Sequence, residues 1–286
     1  MKINLTKRLL KSTAAKLIAA FLMLSSGQSK AASYLYQDDF SANNGALNGR
    51  ATASGFGNWT NADGAFQVGS DKITINSNTP VDYHTASFSL PTLGATDILS
   101  LSITVRPSGS LFTGLGFNPN PTTYLTQTGY AWVYYEGLGA ANPNIQIFQG
   151  PSTAGAVYAA PLTHATLNFD PSFTTTFEFT YSASAKTLSL LASNEGNSST
   201  LLNNLNVSAI PQEAFSNFSL QFQGQNLDTD FYPAYVDQLS VSIIPEPTTL
   251  DLISLPVKAC FYIACKSESL QSRHYRKEYL TKWIKP

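Results

Sequence analysis

The chain of 286 residues is poor in most of the groups that carry chemistry. Its two cysteines, Cys260 and Cys265, both lie beyond Pro247. The long middle therefore has no disulfide and must be stabilised by a buried core, which a stretch of this length can supply. The tail cysteines have no partner cysteines and read as ordinary thiols rather than a metal site. Between residues 32 and 247 the only histidines are His84 and His164. They are far apart, no cysteine accompanies them, and no Gly-x-Ser-x-Gly surrounds a serine that either would activate, so transition-metal and triad chemistry are both disfavoured. Basic side chains are scarcer still: Arg50, Lys72, Arg106 and Lys186 stand against fifteen acidic residues over 32–247, a formal charge of −11. The whole-chain value of −1 hides this, because the two ends hold the remaining thirteen lysines and arginines. Such a body argues against nucleic acid and anionic lipid, which need clustered cations, and is compatible with a neutral polysaccharide or a divalent cation as partner.

Long apolar runs are also missing. The longest at the N-terminus is Leu17 to Leu24, well under the roughly 20 residues a spanning helix needs. Lys2, Lys7, Arg8, Lys11 and Lys16 precede it and small residues follow, with Ser29-Lys30-Ala31 fitting cleavage after Ala31. Residues 1–31 are thus expected to be a signal peptide, and the mature protein to be exported, at the cell surface or extracellular.

What the body does have is period-two patterning. Leu99, Leu101, Ile103 and Val105 alternate with Ser100, Ser102, Thr104 and Arg106. The same rhythm recurs at Phe88 and Leu90, at Ile145 and Ile147, from Phe173 to Tyr181, at Leu188 and Leu190, at Phe218, Leu220 and Phe222, and from Val236 to Ile243. Turn residues separate the runs, among them Asn43-Asn44-Gly45, Asn118-Pro119-Asn120-Pro121 and Glu195-Gly196-Asn197. The pattern predicts an all-β fold: one two-sheet antiparallel sandwich over residues 32–244. The one helical turn expected inside it is around Pro211 to Phe215.

Two resemblances sharpen this. Tyr36-Gln37-Asp38-Asp39-Phe40, Leu47-Asn48-Gly49, Gly57-Asn58-Trp59 and, at the far end, Tyr235 to Val241 resemble the opening and closing strands of concanavalin A-like or laminin G-like jelly rolls. The resemblance implies that the first and last strands pair. Ile244-Pro245-Glu246-Pro247-Thr248-Thr249-Leu250 resembles the PEP-CTERM sorting signal of exported bacterial surface proteins. That resemblance implies an exosortase-type transpeptidase as partner and a sorting tail over 245–286. The chain departs from the pattern where Asp251, Pro256 and Lys258 interrupt the expected membrane helix. Taken as no more than sequence, Pro-Glu-Pro is also a stiff linker.

No residue is assigned a catalytic role. A glycosidase on such a sandwich needs two carboxylates on one face of a strand. Asp228-Thr229-Asp230 has the spacing but sits in a Gly/Asn-flanked loop, and Glu136 and Glu178 are solitary. Calcium prefers oxygen ligands, and Asp38, Asp39 and Asp237 lie on the two strands expected to pair, so they form the candidate Ca²⁺ set, with strand-end capping as the other reading. Aromatics carry the ligand expectation, since sugar rings stack on flat apolar faces. Tyr130, Trp132 and Tyr134 share one parity, Val133 and Tyr135 the other, with Trp59 and Tyr83 as further glycan candidates. The sequence leads to a non-catalytic exported surface or matrix sandwich contacting extracellular polysaccharide. A divergent glycoside hydrolase or lyase, and a purely structural matrix protein, remain as alternatives.

Overall fold

Alternation of apolar and polar side chains needs two facing sheets to bury one parity of each strand. The computed structural model meets that need. It describes residues 33–61, 63–75, 83–106, 112–136, 144–152, 157–158, 161–170, 173–223 and 234–245. The expected signal peptide, the tail from Glu246 onward, and Asp228 and Asp230 lie outside these residues.

The strands are β1 (Tyr34–Asp38), β2 (Gly45–Ala46), β3 (Phe66–Gly69), β4 (Lys72–Ile75), β5 (Tyr83–Ser89), β6 (Asp97–Arg106), β7 (Phe112–Phe117) and β8 (Tyr130–Glu136). They continue with β9 (Asn144–Phe148), β10 (Leu162–Thr163), β11 (Thr175–Ser182), β12 (Thr187–Asn194), β13 (Asn197–Asn206), β14 (Asn217–Gln223) and β15 (Tyr235–Pro245). One sheet of nine strands runs β13-β12-β11-β6-β15-β4-β3-β2, with β1 also paired to β15. The other, of six, runs β10-β9-β8-β7-β14-β5. Every pairing is antiparallel.

The first and last strands do pair, Tyr34 opposite Ile243 and Asp38 opposite Leu239. The expected turn at Pro211 to Phe215 is a 3-10 turn, Gln212–Phe215. The spacing of three between Val236 and Leu239 marks a register shift between Val236 and Gln238, an extra residue that restores the inward parity of the strand. Phe173 departs from expectation: it precedes β11 and is 51% exposed. No helix among the described residues is long and apolar enough to cross a membrane.

The space between the sheets is filled by aromatics. Phe218 on β14 lies 6.0 Å from Phe88 on β5, 5.9 Å from Phe117 on β7 and 6.3 Å from Phe179 on β11, ring to ring, so it ties both sheets together. All four rings are at most 1% exposed. At the strand β1 end, Trp59 Nε1 donates to the Tyr36 hydroxyl (2.9 Å), which donates to Asp38 Oδ2 (3.1 Å). Burial pushes the Tyr36 hydroxyl pKa up from its ordinary value.

Replacing Phe218 with Ala removes the ring shared by both sheets and is expected to cost about 3–5 kcal/mol. The midpoint of urea unfolding measures it. A loss below about 1 kcal/mol would show that the sheets do not depend on this ring.

Candidate functional site

The outer face of the nine-stranded sheet is an open polar surface. Ser100, Ser102 and Thr104 on β6 and Ser240 and Ser242 on β15 lie on it, half-exposed. The outer face of the six-stranded sheet is different. Tyr83, Thr85, Ser87 and Ser89 of β5 point outward, between the inward Ala86 and Phe88. In register beside them are Ser219 and Gln221 of β14, then Gly116 and Gly114 of β7, then Trp132 and Tyr134 of β8, then Phe148 and Gln146 of β9. Most of this face is buried as well, because residues 118–129 fold back across it.

That covering segment holds itself together. Asn118 Nδ2 donates to Thr123 O (2.9 Å), Thr128 Oγ1 donates to Asn118 Oδ1 (2.8 Å), and the hydroxyls of Thr123 and Thr128 are bonded. It ends in the helical turn α1 (Leu125–Thr128). Leu125, fully buried, sits over Gly114, where a Cβ would come within 3.3 Å of its Cδ1. Gly116 is the more constrained, since a Cβ there would come within 2.3 Å of Trp132 Cβ and 2.5 Å of its Cα.

Around Phe112 the segment and the sheet leave an aromatic cluster with a wet rim. The Phe112 ring lies 5.6 Å from Tyr83, 4.6 Å from Tyr134 and 6.1 Å from Trp132. Tyr83 lies 6.0 Å from Tyr124 in the covering segment. Trp132 stacks on Phe148 at 4.4 Å and 12°, and its Nε1 donates to Gly150 O (2.9 Å). Tyr83 is 38% exposed, whereas Trp132 is wholly buried. Tyr124 and Tyr134 are half-buried.

Three of the six aromatic candidates thus meet here: Tyr83, Trp132 and Tyr134. The other three do not. Ala131 takes φ 47° in a register shift of the β7–β8 pair, and Tyr130 packs instead against the inter-sheet core. Tyr135 also points inward, fully buried, its hydroxyl donating to Phe173 O (3.0 Å) and 2.8 Å from Thr175 Oγ1. Burial pushes its pKa up. Trp59, 1% exposed, is a core ring without a free face. Phe112, Tyr124, Ser219, Gln221 and Thr85 were not anticipated. The signal for them was present in Gly114 and Gly116, whose period-two spacing puts two bare positions side by side on one face.

Beneath residues 118–129 the polar groups are incompletely paired. Ser87 Oγ donates to Pro121 O (2.7 Å), and Gln221 Oε1 accepts from Thr126 N (3.3 Å). Thr85 Oγ1, Ser219 Oγ and Gln221 Nε2 are buried without a partner. Leaving a buried polar atom unpaired costs about 1–3 kcal/mol, so three on adjacent strands call for a physical reason.

The aspartates expected to hold calcium do not converge. Asp38 is clamped by Arg50, whose Nη2 and Nε each donate at 3.0 Å, and it also accepts from Phe40 N (2.8 Å). Asp39 accepts from the Ser41 hydroxyl (2.7 Å) and Ser41 N (3.1 Å), bonds that hold its pKa below the ordinary value. Both border a cleft of about 380 Å³ on the nine-stranded sheet that does not include Asp237, which sits in the β15 register shift. No group of three or more His, Cys, Asp or Glu gathers among the described residues. These three therefore do not fit a calcium ion, because a guanidinium already occupies the best carboxylate. Glu178 stands exposed on β11.

The acid–base pair that does form is Asp63 with His84, Oδ2 to Nδ1 at 2.7 Å. Burial alone would raise the Asp63 pKa, but bonds from Ala65 N, His84 and Asn61 outweigh it and hold the carboxyl below its ordinary value. His84 Nε2 is buried with no partner, so no serine or threonine hydroxyl is bonded to it for activation.

No family model and no curated protein matches the chain. Solved structures match in fold. The CBM2 module of an evolved Dit protein from Lactobacillus casei BL23 phage J-1 superposes with a TM-score of 0.50 at 11% identity, over 77% of this chain and 99% of that one. Arcelin-5, a lectin-like defence protein from Phaseolus vulgaris, gives 0.48 at 10%, over 76% and 100%. Together with the strand order, the first of these gives the chain a jelly-roll fold.

Because the folded-state pKa of Asp63 is depressed, its contribution to stability is full above the model-peptide value of 3.8 and is lost as pH falls through the folded-state value. Asp63→Asn is expected to flatten that acid limb. Urea midpoints measured across it that fall equally steeply in both proteins would refute the assignment.

Proposed function

We propose that the protein is a non-catalytic, exported surface or matrix protein that holds a neutral polysaccharide on the aromatic rim of its six-stranded sheet. The observation that carries this is the cluster of Tyr83 and Tyr134 around Phe112, with Tyr124 beside Tyr83: Tyr83 is 38% exposed, Tyr124 and Tyr134 are half-buried, and hydroxyls and amides lie on the same face. Apolar C–H faces of a sugar stack on such rings, and neighbouring polar groups fix its orientation. The acidic body favours a neutral polymer over a polyanion. The matching solved structures include a CBM2 module and a lectin-like protein, a likeness of fold at about a tenth identity. Export rests on the basic and apolar start of the chain, with cleavage after Ala31. Sorting rests on Pro245-Glu246-Pro247 and an exosortase-type transpeptidase.

The full mature chain is to be run in affinity gels containing xyloglucan, dextran, mannan or alginate. Retention is expected in at least one neutral gel and not in alginate. Tyr83→Ala and Tyr134→Ala are each expected to weaken it about tenfold, roughly 1.4 kcal/mol. A folded protein that no neutral gel retards would refute the binding role. For sorting, the intact mass of the mature protein from a host carrying the transpeptidase should lack the segment beyond the Pro-Glu-Pro region. A full-length tail in the soluble fraction would contradict it.

A further inference from the structure

The unpaired groups under residues 118–129 point to more than a rim. We propose that Thr85, Ser219 and Gln221 are the floor of a second, covered binding groove for a neutral, hydroxyl-rich ligand, and that residues 118–129 are a strap lying in it. This rests on the reading of the rim as a glycan surface and extends that surface along the sheet.

The route of the chain is the first argument. β7 and β8 are antiparallel neighbours, and a two-residue turn suffices to join such a pair. The chain instead leaves β7, crosses over β14 and β5, and returns to β8. The second argument is what the strap gives the floor. Ser87 finds Pro121 O and Gln221 Oε1 finds Thr126 N, but Thr85 Oγ1, Ser219 Oγ and Gln221 Nε2 find nothing. Ser219 and Gln221 are wholly buried and Thr85 is 9% exposed. Thr85 lies opposite Gln221 in the β5–β14 register, and Ser219 follows two residues along on the same face. Two hydroxyls and an amide N–H, side by side, offer donors and acceptors that vicinal sugar hydroxyls satisfy.

The third argument is how the strap is fastened. Its bonds from Asn118, Thr123 and Thr128 are internal, so it can move as one piece. Asn217 Nδ2 holds Asn118 O (2.9 Å) at its base. Over the floor its grip is the Ser87 bond to Pro121 O, the 3.3 Å bond from Thr126 N to Gln221 Oε1, a 3.2 Å bond from Ser152 Oγ to Thr126 O, the Tyr124 ring 6.0 Å from Tyr83, and the Leu125 side chain, which lies over Gly114 in one buried cluster with Phe112, Trp132 and Phe148. Leu125 is the one fully buried side chain of α1. Lifting it opens a floor that runs on to Tyr83, the outward residue two before Thr85 on β5.

The absence of cysteine from the body makes the test clean. In a Cys260→Ser, Cys265→Ser background, Ser219→Cys puts a single thiol under the strap, and Ala86→Cys puts one between the sheets as a control for global opening. Under native conditions Ser219→Cys should be labelled by a thiol reagent at least about tenfold faster than Ala86→Cys, and faster again with Leu125→Ala. Should Ala86→Cys misfold, native hydrogen exchange of the 126–129 amides against those of β6 replaces it, with faster exchange in the strap expected. Equal rates in either comparison would overturn the proposal. The neutral gels then separate groove from rim. Leu125→Ala should be retained about tenfold more strongly than the parent chain. Retention lost in Tyr83→Ala but unchanged in Leu125→Ala overturns the groove and leaves the rim standing. Retention by Leu125→Ala alone supports the groove and overturns the rim.

Discussion

The six-stranded sheet is buried on its inner face and over most of its outer one, and the rest of the structure is arranged around that constraint. A sheet packed on one side needs one apolar parity. Here the outer face is mostly covered too, and on β5, β14 and β7 its outward parity is Thr85, Ser87, Ser219, Gln221 and two glycines, with the aromatics Phe112, Trp132, Tyr134 and Phe148 beside them. Residues 118–129 supply the missing cover with a carbonyl, an amide and one leucine. The cover matches the floor in shape at Gly114, under Leu125, yet leaves three polar atoms without partners. Shape is satisfied and polarity is not. A site kept for something else shows that combination more readily than a core does.

The inner face follows ordinary packing. With no disulfide in the body, the sheets are held by aromatic rings that meet edge-on across the gap: Phe117 and Phe179 at 5.7 Å and 83°, Phe179 and Phe218 at 6.3 Å and 70°. Polar side chains at the β1 end of this core are tied off, whereas Thr113 Oγ1 and the Tyr158 hydroxyl are buried without a partner. The Asp38–Arg50 pair, with side chains 12% exposed on each partner, closes the start of the sandwich, and the Trp59–Tyr36–Asp38 chain of bonds carries the same linkage inward. Asp38, which looks available in the sequence, is thus engaged in structure.

Legibility followed the same division. Strands with a strict apolar rhythm, such as Leu99 to Val105 and Phe177 to Tyr181, lie where the alternation puts them, because one face meets the core and the other meets water. β7 and β13 were not readable. In Phe112–Phe117 both parities are buried, so its glycines break the rhythm, and in Asn197–Asn206 the strand lies at a sheet edge and is largely polar. Among the site residues, parity placed Trp132 and Tyr134 together correctly. It failed for Tyr130, where the positive φ of Ala131 resets the alternation, a backbone event that no side-chain pattern announces.

The sequence by itself determined that the body is a two-layer antiparallel sandwich, acidic and free of disulfides. Those properties follow from composition and from a period of two, which are local. Tertiary structure alone decided which aromatics are core and which are rim, that Arg50 occupies Asp38, and that residues 118–129 lie over Thr85, Ser219 and Gln221. These depend on contacts between residues far apart in the chain, as where Gln221 meets Thr126 and Ser87 meets Pro121, and alternation along one strand holds no information about what crosses above it.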